Sequence, residues 1–374
     1  MFLFVGNKNL FGKGGISVFR YTENEDTLVF LGTQHTDISA GFLAVDNINA
    51  YLFCVDERIE CNGVPGGQVL CLQIDSQTGT LKLLSRVNTH TVLPCYIHYI
   101  SDKRRLLVCN HAKRDWTLKL DLTDEGALRS KKVYDDAALE VFDVTQEGII
   151  MGPTSYWVAP LANNASDNPH LHSITYDADN CQSFVCDTGS NLIYTLTHDD
   201  YGAPLLTSET NPNGEDSAPR YGVFHPHLPI AYFNSEKQNA VFVFEICEND
   251  VHKLQVIPAL DLSGSLEEPI EQSAIAVNHA GTVLYTLIRK TRSISAFSIC
   301  DDGRLRFLQS YPVHYESPRA LVITPDDKNM FVACSTGKAV VRIKINLDGS
   351  LSHQTLEESS LISPSSMALF DPRH

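Results

Sequence analysis

PHLHSITYDADNCQSFVCDTGSNLIYTL, residues 169–196, and APRYGVFHPHLPIAYFNSEKQNAVFVF, residues 218–244, follow one plan. Polar residues lead through or beside a Pro into a short apolar strand. A turn, a second strand, a polar corner and a third strand follow. The polar residues able to do chemistry occupy equivalent places. His170 and His172 open the first copy, Arg220 opens the second, and Glu236 follows its second strand. Repetition of this kind marks an architecture whose units cannot bury their faces alone.

Searching outward, the same plan recurs along nearly the whole chain. Units start near residues 41, 94, 169, 218, 272 and 317, at spacings of 53, 75, 49, 54 and 45. Each reads as four short strands. Turns such as Asp301-Asp302-Gly303 and Leu347-Asp348-Gly349 lie between the third and the fourth, where a tight hairpin needs a residue tolerant of positive φ. Two fragments remain. Residues 2–32 hold three strands (FLFVG, GISVFRY, LVFLGT) without an opening strand, and residues 364–370 (PSSMALF) are an opening strand with nothing after it. Together they make one whole unit, which is how a closed ring of four-stranded blades is latched. Six units plus one composite unit predict an all-β, seven-bladed β-propeller. Residues 1–374 then form a single domain closed by a C-terminal strand that joins the N-terminal blade. An open array of sandwiches would leave the split unit unexplained.

The spacing of 75 exceeds the others by roughly twenty-five residues. The excess is expected at about residues 136–167, DAALEVFDVTQEGIIMGPTSYWVAPLANNASD, as a loop carrying Tyr156 and Trp157 on one end of the ring.

Composition fits a globular chain, with 43% hydrophobic and 20% charged residues. No apolar run approaches a membrane span of roughly 18 residues. The start, MFLFVGNKNLFGKGG, is a poor secretion signal and reads as a strand. Ten cysteines without CxxC or dense spacing point to reduced thiols and a cytoplasmic location. A net charge of −16 argues against nucleic acid, which needs a basic face. It does not oppose a small anionic substrate, because a few Arg residues in one pocket reverse the local field.

In a propeller the opening strands line the central channel, and residues from several blades converge at one mouth. Polar residues at the start of a first strand or after a second strand are therefore the site candidates: His170, His172, Arg220, Glu236, Arg289 and Arg319. Glu57 and Asn110 follow the second strands of their own blades. A His moves protons near neutral pH, a carboxylate can serve as its partner or as a base, and Arg forks match anionic oxygens. Such a set can hold an anionic substrate, stabilise an oxyanion and transfer one proton. His225, in Phe-His-Pro-His, reads as a turn residue, and His90, His98 and His314 as structural. No metal-ligand spacing, phosphate loop or dinucleotide fingerprint is apparent, so no cofactor is implied.

The chain resembles the lactonase family of seven-bladed propellers, which includes bacterial 6-phosphogluconolactonases and fungal carboxy-cis,cis-muconate cyclases. The family's His-bearing opening strand resembles His172-Ser173-Ile174. Its Gly-Pro-Arg-His and Phe-His-Pro resemble Ala218-Pro219-Arg220-Tyr221 and Phe224-His225-Pro226. Its Asn-Glu corner resembles Ser235-Glu236, its Arg after a Leu-Tyr strand resembles Arg289 after Leu284-Tyr285, and its late Pro-Arg resembles Pro318-Arg319. The resemblance implies His172, Arg220, Glu236 and Arg289 as catalytic residues; His170, Arg319, Tyr221, Glu57 and Asn110 are expected around the substrate. Tyr221 stands where the family has His, and Ser235 where it has Asn. Ala274 and Ala320 replace polar residues, which should reshape the pocket floor.

Three functions are carried forward. The first is a cofactor-independent lactonase acting on a small anionic, sugar-acid type lactone. The second is a cycloisomerase closing a muconate-type diacid. The third is a non-catalytic propeller serving as an interaction platform. Because a closed ring needs no partner, the chain is expected to be a monomer.

Overall fold

The computed structural model describes residues 1–10, 12–161, 168–247, 250–260 and 270–373. Seven four-stranded antiparallel sheets stand around one axis. The innermost strands are Pro364–Phe370, Ala40–Asp46, Pro94–Ile100, Leu171–Asp177, Pro219–Phe224, Gln272–Val277 and Pro318–Ile323, and each touches the next until the circle closes. Pro364–Phe370 pairs with Phe2–Leu10, with Phe2 opposite Phe370 and Val5 opposite Met367. Blade 1 thus takes its inner strand from the far end of the chain, as the split repeat predicts. Blades 2 to 7 follow in chain order.

Second strands such as Tyr51–Asp56, Gln182–Asp187, Ile230–Ser235, Val283–Ile288 and Asn329–Cys334 are buried at every residue. Neighbouring blades cover both faces, so these strands read as short apolar runs rather than alternating ones. The core is therefore a set of inter-blade layers. Between blades 1 and 2, for example, Phe4, Ile16 and Val18 pack with Leu52, Cys54 and Leu70. Polar ties repeat from blade to blade. The hydroxyls of Tyr51, Tyr232 and Tyr285 donate at 2.8 Å to the carbonyls of Gln146, Gly303 and Gly349 in the outer turns of the following blades. The side-chain amides of Gln255 and Gln309 bracket the next blade's outer strand, each bonding both N–H and C=O of Leu305 and Leu351. All ten cysteines are free thiols, with Cys54, Cys109 and Cys186 buried.

The position expected for the long insertion is corrected here. Ala138–Val144 and Ile150–Val158 are the third and fourth strands of blade 3. The extra length is a separate hairpin, Thr117–Leu122 with Leu128–Val133, set between the second and third strands. TLKLDL has the alternation of a strand, but Leu118, Leu120 and Leu122 are exposed, whereas ALEVFDV is almost wholly buried between blades. Trp157 packs edge-on against Tyr194 with ring centroids 4.9 Å apart, and Tyr156 is exposed. Residues 162–167 of the expected loop lie outside the described residues.

Candidate functional site

The mouth is built from two positions in every blade. At the first, the inner strand bulges against the second strand. The register slips at Gly41, Cys95, His172, Arg220 with Tyr221, Ser273 with Ala274, and Arg319, and blade 1 slips beside Ser365. A bulge bends its strand and re-aims a side chain, and here six of the seven positions line one cavity. Ser273 instead donates to the Pro318 carbonyl at 2.7 Å.

At the second position, a residue just past the second strand, or in blade 1 near its end, donates its backbone N–H to the residue preceding the inner strand. Lys8, Glu57, His111, Thr188, Glu236, Arg289 and Ser335 do so to Ser363, Ser39, Leu93, His170, Ala218, Glu271 and Ser317, at 2.8–3.1 Å. The side chain is not part of this bond, so each blade can present a different group on the same frame.

Lys8, Glu57, His111 and Glu236 from this position join the bulge residues around a cavity of about 330 Å³. Four cationic side chains (Lys8, Arg114, Arg220, Arg319) line it against two carboxylates, Glu57 and Glu236. The mouth is positive although the chain carries −16. Arg220 is 1% exposed, and its Nε and Nη1 have no hydrogen-bond acceptor among the described residues. Its guanidinium lies 4.5 Å from the Tyr221 ring centroid. Arg319 has no ion pair among the described residues, and burial together with Arg220 destabilises its charge. His172 is buried, stands edge-on to Tyr221 at 5.2 Å, and leaves Nδ1 without a partner among the described residues. Burial, then Arg220, His111 and Arg319, hold its pKa well below the ordinary value, so the imidazole is neutral at neutral pH.

Glu236 is clamped. Its Oε1 accepts from Arg289 Nη2 at 2.6 Å and lies 3.7 Å from Arg220 Nε. Burial pushes its pKa up, but Arg220 and Arg289 outweigh burial and the carboxylate ends below its usual range. Across the mouth, Lys8 donates to Glu57 Oε1 at 2.6 Å. Burial lowers the Lys8 pKa and Arg319 lowers it further, while Glu57 opposes both.

His172, Arg220, Glu236, Arg319, Tyr221 and Glu57 thus meet at one cavity. Arg289 and His170 line a second chamber of about 260 Å³, which shares Glu236 and Arg114 with the first. His170 stacks on His111 at 4.6 Å, and burial followed by this neighbour pushes the His111 pKa down to about 4. Asn110 does not reach the mouth. It is fully buried within blade 3, with Nδ2 near Ala138 O and Glu140 Oε1. His225 caps its turn, with Nε2 at 2.8 Å from Gly281 O and Nδ1 accepting from the backbone of His227 and Leu228. Lys8, His111 and Arg114 are additions. Lys8 and His111 hold the same repeat position as Glu57 and Glu236, so aligning all seven units finds them. Arg114 lies in the approach to the inserted hairpin and carries no signal in the repeat.

The family model described as "Lactonase, 7-bladed beta-propeller" matches residues 2–368. A relative named 6-phosphogluconolactonase, from Formosa agariphila, is 23% identical over 366 residues, covering 96% of each chain. An uncharacterized protein of Staphylococcus aureus is 24% identical over 331 residues, covering 88% of each. Among solved structures, a periplasmic gluconolactonase of Pseudomonas aeruginosa superposes with a TM-score of 0.80 at 21% identity, covering 98% of each chain.

Proposed function

We propose that this chain, which belongs to the lactonase family of seven-bladed β-propellers, hydrolyses a small anionic lactone of the sugar-acid type. The observation carrying this reading is Arg220, a guanidinium 1% exposed whose Nε and Nη1 have no acceptor among the described residues, at the edge of a cavity with an excess of positive charge. Hydrogen-bond donors fixed in a buried site stabilise a developing oxyanion more than donors in water, because they need no reorganisation. Arg220 is the oxyanion donor in this scheme, and Arg319 holds the substrate's anionic substituent. Glu236 fixes Arg220 and Arg289 in place, since a carboxylate stabilised as the anion by two guanidiniums is a weak base. His172, neutral and flanked by Tyr221, hydrogen-bonds the lactone without adding charge.

The substrate class also finds support in the 6-phosphogluconolactonase and gluconolactonase names of relatives that align end to end. The test is acid release from gluconolactone-type lactones, with and without a phosphate, by wild type and Arg220→Ala. Wild type should turn over at least one anionic lactone, and the variant should lose ~10²–10³ in rate. A wild type inert on every lactone overturns the reading, and an equally active R220A overturns the assignment of Arg220. Loss of ultraviolet absorbance from a muconate-type diene, with no lactone hydrolysed, would make ring closure the reaction instead.

A further inference from the structure

Two carboxylates, each paired with a cation of an adjacent blade, line the same cavity, and each pair joins residues near the ends of the second strands of consecutive blades. Glu236 of blade 5 binds Arg289 of blade 6, and Glu57 of blade 2 binds Lys8 of blade 1. Their surroundings differ in a way that separates their chemistry. Two guanidiniums converge on Glu236 Oε1, Arg289 at 2.6 Å and Arg220 at 3.7 Å, and make the clamp. Glu57 has a single ammonium partner, on Oε1, and its Oε2 accepts no hydrogen bond among the described residues.

Blade 2 is also shaped for this carboxylate. Its bulge position, where Cys95, His172 and Arg220 stand in other blades, is Gly41. A Cβ on Gly41 would lie 2.5 Å from Glu57 Oε2 and 2.8 Å from Glu57 Cβ. Glu57 therefore fills the slot that a side chain at residue 41 would occupy, and its free oxygen is delivered to the cavity wall. Lys8 is a second unusual group. Burial and Arg319 destabilise its ammonium, so it gives up a proton more readily than a surface lysine.

We propose that Glu57 and Lys8 are the proton-handling pair of this site, with Glu57 as the general base for the attacking water and Lys8 as the acid for the leaving ring oxygen. The assignment rests on the lactonase reading above. In the first step a water O–H bond breaks, its proton goes to Glu57 Oε2, and the water oxygen bonds to the lactone carbonyl carbon. The carbonyl π pair moves onto oxygen, facing Arg220. In the second step the C=O bond reforms and the acyl bond to the ring oxygen breaks. The ring oxygen takes a proton from Lys8 Nζ. The Glu57 carboxyl then turns to bring this proton from Oε2 onto the 2.6 Å contact that Oε1 makes with Lys8, and the amine takes it, restoring both groups. The sum is lactone plus water giving a hydroxy acid.

The test measures kcat and KM on the best anionic lactone for wild type, Glu57→Gln, Glu57→Ala with and without added formate, and Gly41→Ala. E57Q should lose ~10²–10⁴ in kcat, the range for a general acid–base group, with KM little changed. Formate should restore part of the E57A activity by supplying a carboxylate to the emptied slot. G41A should lower kcat by displacing Glu57 without altering its chemistry. E57Q at the wild-type kcat, or a loss in E57A that formate leaves untouched, overturns the assignment while the lactonase reading survives. A wild type inert on all lactones overturns both.

Discussion

Replacing Glu236 by Gln keeps the shape of the clamp and removes its charge, and the structure sets the cost. Arg220 loses the carboxylate that its Nε faces at 3.7 Å, while Arg289 keeps Glu271 at 3.6 Å. Arg220 is left 1% exposed, beside the cationic Arg319 and without another ion pair among the described residues. Stranding one partner of a fully buried pair costs about 3–5 kcal/mol. Glu236 is 20% exposed and its contact with Arg220 is long, so cavity water screens part of the loss and about 2–3 kcal/mol is expected. The pH dependence follows from the direction of the shift. Two guanidiniums hold the folded-state pKa of Glu236 below the ordinary 4.5 despite its burial. A depressed carboxylate stabilises fully above its unfolded value, and that contribution drains away as pH falls through the folded value. Urea unfolding should therefore separate wild type from E236Q by a constant margin at neutral pH, and the gap should narrow below 4.5. A small dicarboxylate should raise the midpoint of E236Q more than that of wild type, because it replaces the missing counter-charge. Equal midpoints at neutral pH, or a gap that persists unchanged in acid, would refute the clamp.

Two further outcomes test the ring and its insertion. Gly6 sits where blade 1 meets its C-terminal strand, and a Cβ there would lie 2.3 Å from Ser366 Oγ and 2.7 Å from the Ala40 carbonyl. Gly6→Ala should cost about 1–3 kcal/mol by overpacking the latch, read as a lowered urea midpoint, and no change would place the seam elsewhere. The hairpin of residues 117–133 is exposed over most of its length, so replacing it with a short Gly-Ser linker should move stability by about 0.5 kcal/mol or less. A large fall in thermal midpoint would mean that its leucines pack on something.

The ring was legible because its evidence is global: six similar units and two complementary fragments admit one closure. The hairpin was misread because its evidence is local. Alternation in TLKLDL says that a strand forms but not with which partner, and pairing with LRSKKV rather than RLLVCN is settled by tertiary burial. Asn110 failed for a related reason. It is the last residue of its strand, paired opposite both Pro94 and Ala138, so its side chain stays inside the blade. His111, one residue on, holds the position that faces the mouth. An offset of one residue exchanges inside for outside in extended backbone. Lys8 was missed because its blade is the split one, whose opening strand lies some 350 residues away in sequence, so no local window aligns it with Glu57.

The same frame explains how chemistry and stability are kept apart. At the position at or near the end of each second strand the fold requires a backbone donor, and Lys, Glu, His, Thr, Glu, Arg and Ser all supply it with bonds of 2.8–3.1 Å. At the bulge, the irregularity resides in the backbone and is tolerated with Gly, Cys, His, Arg or Ser. Neither position needs a particular side chain to hold its blade. Charge at the mouth can therefore be chosen against the charge of the whole, which is how a chain of −16 gathers lysine and arginine around one cavity. The cost appears where those cations lose their counterions, as with Arg220 when Glu236 is neutralised. A mouth built this way should depend for its stability on the carboxylates that face it more than on the identity of any bulge residue.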